Sequence, residues 1–471
     1  MKLRSFHSFP LSIIAANLLF WLAVPAHAVS TNELILQRLQ ALEQQQVMMA
    51  EELQAKDQRI RELESRLGMT DPTVLSEQTI PGAQGNTVAG VTPAAAAPAG
   101  PVQFGEFQPG GRGFKLAETP MGDVNFSAWA YARYLNQKAL DDSYTDSFGR
   151  TKDIDQRNDF QLNKVNLYFK GWLFDPKFRY LLYTWTANTS QGDSAQVVVA
   201  GNMSYKFNEA VDTGVGIGAL PGTRSLRGTF PYWTRVDARP MSDEFFRPSY
   251  TTGIWSSGEL AEGLKYKLML GNNLSQLGVN AAQLDSDLDT WSGTLYWMPT
   301  TGEFGPSQGY GDFENHAELA TLFGISGTTS REDRQSQPGT DDIQNSQIRL
   351  SDGTIIFQPD AFDSGGRINN ATYYMLSVDA AMKYRGFSLS GEYYNRWVND
   401  FDVDGEVPVN DLYDHGFQLQ TSYMFLPKTL QGYVTGSKLF GEYGDPWDAS
   451  VGLNWFPLQQ RLLRVNSEIL Y

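Results

Sequence analysis

The segment that most constrains the fold is the last one, Leu462 to Tyr471, because apolar and polar side chains alternate there with a period of two. A β-strand directs successive side chains to opposite faces. One face would carry Leu463, Val465, Ile469 and Tyr471, and the other Arg464, Asn466 and Glu468. A strand that contacts lipid on one side and water on the other requires this arrangement. The segment therefore predicts the closing strand of a transmembrane β-barrel.

The same alternation recurs upstream. Between Tyr374 and Tyr384 the even-numbered positions are apolar, and Ser377, Asp379 and Lys383 lie between them. Gly386 predicts a very short turn into the following strand. Two long polar stretches, Thr328–Asn370 and Val398–Asp414, predict loops. We therefore predict an all-β fold in which residues 113–471 form one transmembrane antiparallel β-barrel.

The composition agrees with membrane strands rather than with membrane helices. Hydrophobic residues make up only 41% of the chain and the mean hydropathy is −0.36, whereas aromatic residues reach 13%. The 37 basic and 53 acidic residues give a net charge of −16, which argues against a nucleic-acid partner. The lack of cysteine is compatible with an oxidising envelope but does not identify a compartment.

Three segments precede the predicted barrel. Residues 1–28 have a basic start, an apolar stretch and a small-residue cleavage site, which predicts a secretory signal peptide. Residues 29–68 carry a heptad pattern, which predicts a parallel coiled coil roughly 50 Å long at 1.5 Å per residue. Residues 69–112 are rich in Pro, Gly and Ala and predict a linker.

Several short runs resemble the phosphate-selective porin O and P family over roughly residues 120 to 471. They are Lys383 to Tyr394, Gly416 to Tyr423, Val451 to Trp455 and Arg464 to Asn466. The resemblance implies an outer-membrane barrel of about 16 strands, a homotrimer, and one pore per subunit. The coiled coil, which we place in the periplasm, resembles an extension found on some other trimeric sugar porins.

A proline-interrupted segment, residues 220–250, concentrates positive charge in an otherwise acidic chain. We interpret it as a constriction loop inside the barrel, where guanidinium groups would hold anions by bidentate hydrogen bonds. In the alternative, these side chains pair with acids such as Asp237, Asp243 and Glu244 and only brace the loop. The arginines are Arg224, Arg227, Arg235, Arg239 and Arg247.

Basic residues on predicted polar faces supply positive charge to the pore wall. These are Lys164, Lys170, Lys206, Lys265, Lys267, Lys383 and Arg385. A general porin would also have such residues, so phosphate selectivity does not follow from them.

An acidic run matches the spacing of a calcium-binding loop, with carboxylates at alternating places and glycine at the sixth. The candidate ligands are Asp400, Asp402, Asp404, Glu406 and Asp411. Pro408 and the lack of flanking helices depart from that motif, and a solvated acidic loop is the alternative. Calcium is the only cofactor that the sequence suggests.

Catalysis is not expected. Beyond the signal peptide the histidines are His316 and His415, and no nucleophile motif accompanies them. Asp414 precedes His415, but neighbours on a strand point to opposite faces.

The expected function is passive diffusion of small hydrophilic solutes through an outer-membrane porin, with anions or phosphate preferred. In the alternative, the protein is a structural tether whose coiled coil contacts the cell wall.

Overall fold

The computed structural model describes residues 105–108, 113–187, 196–236, 238–276, 287–336 and 343–471. The predicted signal peptide, the coiled coil and most of the linker lie outside these residues, as does Asp237.

The described residues form mainly strands. The strands are β1 Phe107–Gln108, β2 Gly113–Thr119, β3 Gly122–Asn136, β4 Ser143–Thr145, β5 Thr151–Asp153, β6 Asn158–Leu173, β7 Asp175–Ala187, β8 Gln196–Lys206, β9 Asp212–Ala219, β10 Tyr250–Ala261, β11 Leu264–Gly271, β12 Thr290–Trp297, β13 Ala320–Asp333, β14 Arg367–Tyr384, β15 Phe387–Asp404, β16 Leu412–Leu426, β17 Leu430–Phe440, β18 Trp447–Trp455 and β19 Val465–Leu470. The helical elements are α1 Met241–Phe246 and two 3₁₀ turns, Arg224–Leu226 and Pro306–Gln308. None of these helices is long and apolar enough to cross a membrane.

One antiparallel sheet contains 17 of these strands, and β4 and β5 form a separate hairpin. Each strand pairs with the next one in that sheet, from β1–β2 through β9–β10 to β18–β19. β1 has only two residues, so sixteen longer strands remain. This number agrees with the sixteen strands that the resemblance implied.

Polar side chains are buried in this sheet and apolar ones are exposed, the reverse of a soluble protein. In β14, Ser377, Asp379 and Lys383 are buried, whereas Leu376 and Val378 are exposed. β19 repeats the pattern, since the apolar side chains predicted for one face are exposed. The alternation predicted from sequence is therefore confirmed in these strands. We call the two sides of the sheet the polar face and the apolar face.

Connections at the two ends of the strands differ in length. At one end, the turn end, Tyr384 pairs with Phe387 across a two-residue turn. Arg385 and Gly386 both have positive φ there, 46° and 84°, as a tight hairpin turn requires. The predicted short hairpin is thus confirmed. The opposite end, the loop end, carries the two longest of these connections, 220–249 and 334–366, and also 137–157.

The strands extend further into the polar stretches than the sequence indicated. β13 continues to Asp333 and β14 begins at Arg367, so both ends of Thr328–Asn370 are strand. Likewise, β15 reaches Asp404, which pairs with Arg367. The loop prediction was wrong at these ends because backbone hydrogen bonds form a ladder whatever the side chains are.

Three connections interlock at the loop end, and we call this assembly the loop-end cap. Its apolar core includes Leu350, Phe357 and Phe362 of the β13–β14 connection. Ser147, between β4 and β5, donates its hydroxyl to the carbonyl of Tyr443 at 2.5 Å. The cap therefore joins connections from early, middle and late parts of the chain.

Candidate functional site

Two connections fold over the polar face of the sheet. The first, residues 220–249, follows β9 from the loop end, and we call it the inner loop. The second, residues 298–319, follows β12 from the turn end, and we call it the turn-end loop. They meet where the Tyr310 amide donates to the carbonyl of Tyr232 at 2.8 Å.

Arg227 of the inner loop forms a bidentate ion pair with Asp379 on β14. One guanidinium nitrogen donates to Asp379 Oδ2 at 3.1 Å, and the other contacts Asp379 Oδ1 and donates to Ser326 Oγ at 3.0 Å. Both charged side chains are almost completely buried. This pair fastens the inner loop to the middle of the sheet.

Arg235 fastens the same loop to the last strand. Its Nε and Nη2 donate to the Glu468 carboxylate, the shortest contact being 2.7 Å, and Nη1 lies 3.6 Å from Asp448. Close by in sequence, the Phe230 ring packs against Trp129 of β3 at a centroid distance of 5.1 Å. β3 and β19 therefore approach the same short segment of chain from opposite ends of the sheet.

The remaining arginines are also engaged. Arg224 is buried, donates to Ser390 Oγ at 2.7 Å and stacks on Tyr310, and its backbone amide donates to Glu392 at 3.0 Å. Arg239 and Arg247 contact the acids of α1. Burial raises the pKa of Asp243 in that helix.

Glu244 shows the opposite shift, although it belongs to the same helix. Partial desolvation of this 55% exposed side chain opposes ionisation, but the charges of Arg247 and Arg239 outweigh it and lower the pKa of Glu244 to about 2. Arg247 donates to Glu244 Oε2 through Nε at 2.9 Å. The contacts of all five arginines therefore agree with the alternative in which these side chains brace the loop. Most of the partner acids lie on the strands rather than on the loop.

Three of the predicted wall lysines converge in one cavity of about 290 Å³ on the polar face. Lys206, Lys265 and Lys267 line it together with Arg179 and Arg227, and its acids are Glu209, Asp212 and Glu259. Lys267 donates to the carbonyl of Ala219 at 3.0 Å. Five cationic and three anionic side chains line this space, which we call the basic cavity.

The other predicted wall residues are dispersed. Lys164 and Lys170 lie half-buried on the polar face of β6, with the Lys164 ammonium 5.0 Å from the Trp185 ring. Lys383 is on the polar face but is covered by the turn-end loop, where it donates to the carbonyl of Phe304 at 2.7 Å. The wall prediction was wrong for Arg385, because this residue occupies the tight turn and its guanidinium lies over Tyr384 on the apolar face.

The acidic run is not a compact loop. Asp400, Asp402 and Asp404 lie on β15, and the connection to β16 begins only at Gly405. Alternate residues of a strand are nearly 7 Å apart, so they do not converge on one ion as ligands of a calcium loop do. Glu406 and Asp411 are exposed beyond the strand end. Within the described residues, no group of three or more His, Asp or Glu side chains is placed to hold a metal.

The two histidines have separate surroundings. Asp414 is buried against Arg396, whereas His415 accepts or donates a hydrogen bond with Tyr393 on the opposite face, at 2.9 Å. The predicted divergence of Asp414 and His415 is confirmed. His316 contacts Asp312 and lies 2.9 Å from Glu303, all three within the turn-end loop.

Sequence reasoning missed the acids that hold the inner loop, chiefly Asp379, Glu392 and Glu468. A usable signal existed, because the alternation places Asp379 and Glu468 on the polar faces of their strands. An acid facing inward at mid-strand indicates a cationic partner, since an unpaired buried charge is costly. The turn-end loop was not anticipated at all.

The fold and site define a large antiparallel sheet whose polar face holds two inserted loops by ion pairs and hydrogen bonds. No family model and no curated protein matches the sequence.

Among solved structures, the chain is similar to an anion-selective porin from Comamonas acidovorans, with 9% identity, a TM-score of 0.45, and coverage of 74% of this chain and 88% of that one. It is also similar to the outer membrane channel DcaP of Acinetobacter baumannii, with 10% identity, a TM-score of 0.42, and coverage of 75% and 91%. A third is Salmonella typhi OmpF in complex with daunomycin, with 13% identity, a TM-score of 0.42, and coverage of 75% and 91%.

Proposed function

We propose that this protein is an outer-membrane porin, a homotrimer in which each sheet closes into a barrel around a water-filled passage. Small hydrophilic solutes diffuse through it, and anions are preferred. Closure is supported by the approach of β3 and β19 to one segment of the inner loop, through Trp129–Phe230 and Glu468–Arg235.

The observation that carries the proposal is the inversion of the sheet. Val199, Leu268 and Val378 on the apolar face are 76%, 56% and 44% exposed, while Ser377, Asp379 and Lys383 on the polar face are 0%, 5% and 1% exposed. In a soluble antiparallel sheet the apolar face packs on a core. An exposed apolar face on many consecutive strands, with polar side chains inside, is what a barrel in lipid requires.

The anion preference rests on the basic cavity. Asp379 neutralises Arg227, so four cationic side chains face three acids in this cavity, which lies on the polar face. Charged groups along a narrow passage act over a short distance and in a reduced dielectric, so an excess of one positive charge favours anions.

Single-channel recording in planar lipid bilayers tests the function. Purified protein should form stable open channels, and the reversal potential in a salt gradient should indicate anion preference. Protein that is monodisperse in buffer without detergent and forms no channels would refute the porin.

Selectivity is tested separately with charge variants. Lys206→Gln combined with Lys267→Gln should shift the reversal potential towards cation preference. Arg385→Gln removes one charge outside the cavity and serves as the control, which should leave the potential unchanged. Equal effects of the two changes would count against the basic cavity as the source of selectivity.

A structural tether is the second candidate, and the heptad pattern of residues 29–68 favours it. Deletion of residues 29–68 separates the two functions. A tether would lose its attachment to the cell wall, whereas conductance should persist in the porin.

A further inference from the structure

The polar face is covered unevenly. On β14 to β17 nearly every polar-face side chain is buried, as Ser377, Ser390, Gln420 and Thr435 illustrate. On β3, β6, β7 and β8 most of these side chains are only half-buried, including Tyr131, Tyr168, Tyr183 and Ser204, so the two halves of the sheet differ.

The inner loop accounts for much of the covered half. Helix α1 packs on β15 to β18, where the Ser242 amide donates to Ser437 Oγ at 3.0 Å. The Phe246 ring stacks on Tyr394 of β15 at 5.1 Å. Polar groups of the wall are thus used to hold the loop rather than left for a solute.

The turn-end loop covers the rest of that half from the other end. Phe313 packs with Met424 and Phe456 in a small apolar cluster. Glu314 binds Arg461, between β18 and β19, at 3.0 Å. Together the two loops form one packed body against β12 to β18, which we call the plug.

The edge of the plug lies at the tip of the inner loop. Gly228 is exposed with a φ of 95°, and a side chain added there would meet no atom within 4 Å. Phe230, two residues later, touches β3 through Trp129. The tip therefore borders open space on the side that faces β6 to β8.

We propose that solutes pass only along the side of the barrel formed by β3, β6 to β8 and the turn-end halves of β9, β10 and β11, which we call the open sector. This inference rests on the proposed porin function and deepens it. The basic cavity lies in the open sector, so Arg179, Lys206 and Lys267 set the charge of the passage. Arg224, Arg235 and Lys383 belong to the plug and its contacts and do not meet the solute.

Thiol labelling tests this assignment directly, because the natural chain has no cysteine. Ser204→Cys and Ser257→Cys place a thiol in the open sector, and Ser257 lines the basic cavity. Ser450→Cys is the matched control, because Ser450 is 4% exposed on the plugged side and bonds to Thr435 at 2.8 Å. Each variant is folded in detergent and treated with a charged methanethiosulfonate reagent. Mass spectrometry measures the extent of labelling over time, and the conductance is recorded before and after treatment.

We expect rapid labelling at positions 204 and 257, with a clear drop in conductance, and labelling at position 450 at least tenfold slower. Equal labelling rates at all three positions, or faster labelling at position 450, would overturn the open sector. If positions 204 and 257 are labelled but the untreated protein shows no conductance, the open sector is accessible to solvent but the proposed porin function is refuted. A conductance drop on labelling position 450 alone would place the passage on the plugged side.

Discussion

At the scale of single residues, buried ion pairs dominate the site. Arg227 and Asp379 are 2% and 0% exposed, and each satisfies the other's charge in a region that water reaches poorly. A buried pair adds little net stability compared with an apolar pair, but loss of one partner leaves an uncompensated charge. The arginines therefore hold the inner loop in position, whatever their additional effect on passing ions.

Arg227→Ala should destabilise the folded protein by about 3–5 kcal/mol, because Asp379 is left buried and unpaired. Urea unfolding of protein in lipid vesicles measures the change. Lys138→Ala, at an exposed loop position, is the control and should change stability by less than about 0.5 kcal/mol.

A second variant separates charge from packing. Arg227→Gln with Asp379→Asn removes both charges together and should recover much of the lost stability. If the double variant is no more stable than Arg227→Ala, or if Arg227→Ala is as stable as the parent, the pair does not brace the loop.

The ion pairs of α1 predict that the stability of the folded protein depends on pH. The pKa of Glu244 is lowered from 4.5 to about 2, so the stabilisation by its carboxylate is complete above pH 4.5 and is lost as the pH falls towards 2. The stability difference between the parent and Glu244→Gln should therefore shrink between pH 4.5 and pH 2 and stay constant from pH 5 to pH 7. Urea midpoints at these pH values measure it, and a difference that is constant down to pH 2 would contradict the assignment.

At the scale of elements, strands follow from local pattern and inserted loops do not. The alternation in β14 and β19 and the glycine turn after β14 could all be predicted from the sequence, because a strand with one polar and one apolar face has a period of two. The packing of residues 298–319 could not be predicted from the sequence, since its partners lie far away in sequence. Glu314, for example, pairs with Arg461, 147 positions later.

The two-residue turn after β14 gives a prediction at this scale. Gly386→Ala should destabilise the protein by about 1–2 kcal/mol, because φ is 84° and an added Cβ would approach Met424 Cβ to 3.1 Å. Gly327→Ala is the control, because that glycine has ordinary backbone geometry and its nearest neighbour would be 3.6 Å away. Thermal unfolding in detergent compares them, and equal melting temperatures for the two variants would argue against a strained turn.

At the scale of the whole molecule, the inverted sheet determines where charge is tolerated. Val378 lies in the middle of β14 on the apolar face, whereas Val465 is the first residue of β19, at the turn end, on a similarly exposed position of the same face. The cost of a lipid-facing charge depends on depth in the bilayer.

Val378→Arg should therefore cost about 2–4 kcal/mol in lipid vesicles, and Val465→Arg, at the end of a strand, about 0–1 kcal/mol. Equilibrium unfolding of vesicle-bound protein measures both. Two equal costs, or a negligible cost at Val378, would place the apolar face somewhere other than in hydrocarbon.

The loop-end cap and the last strand also limit the order of assembly. Ser147 bonds to a residue 296 positions later, and Arg235 to one 233 positions later. Ser147 and Arg235 cannot make these contacts until the C-terminal part of the chain has folded next to them. Contacts between residues that are distant in sequence form slowly. Until β19 is in place, the inner loop lacks its Glu468 anchor, so this loop reaches its final position only when the last strand has joined the sheet.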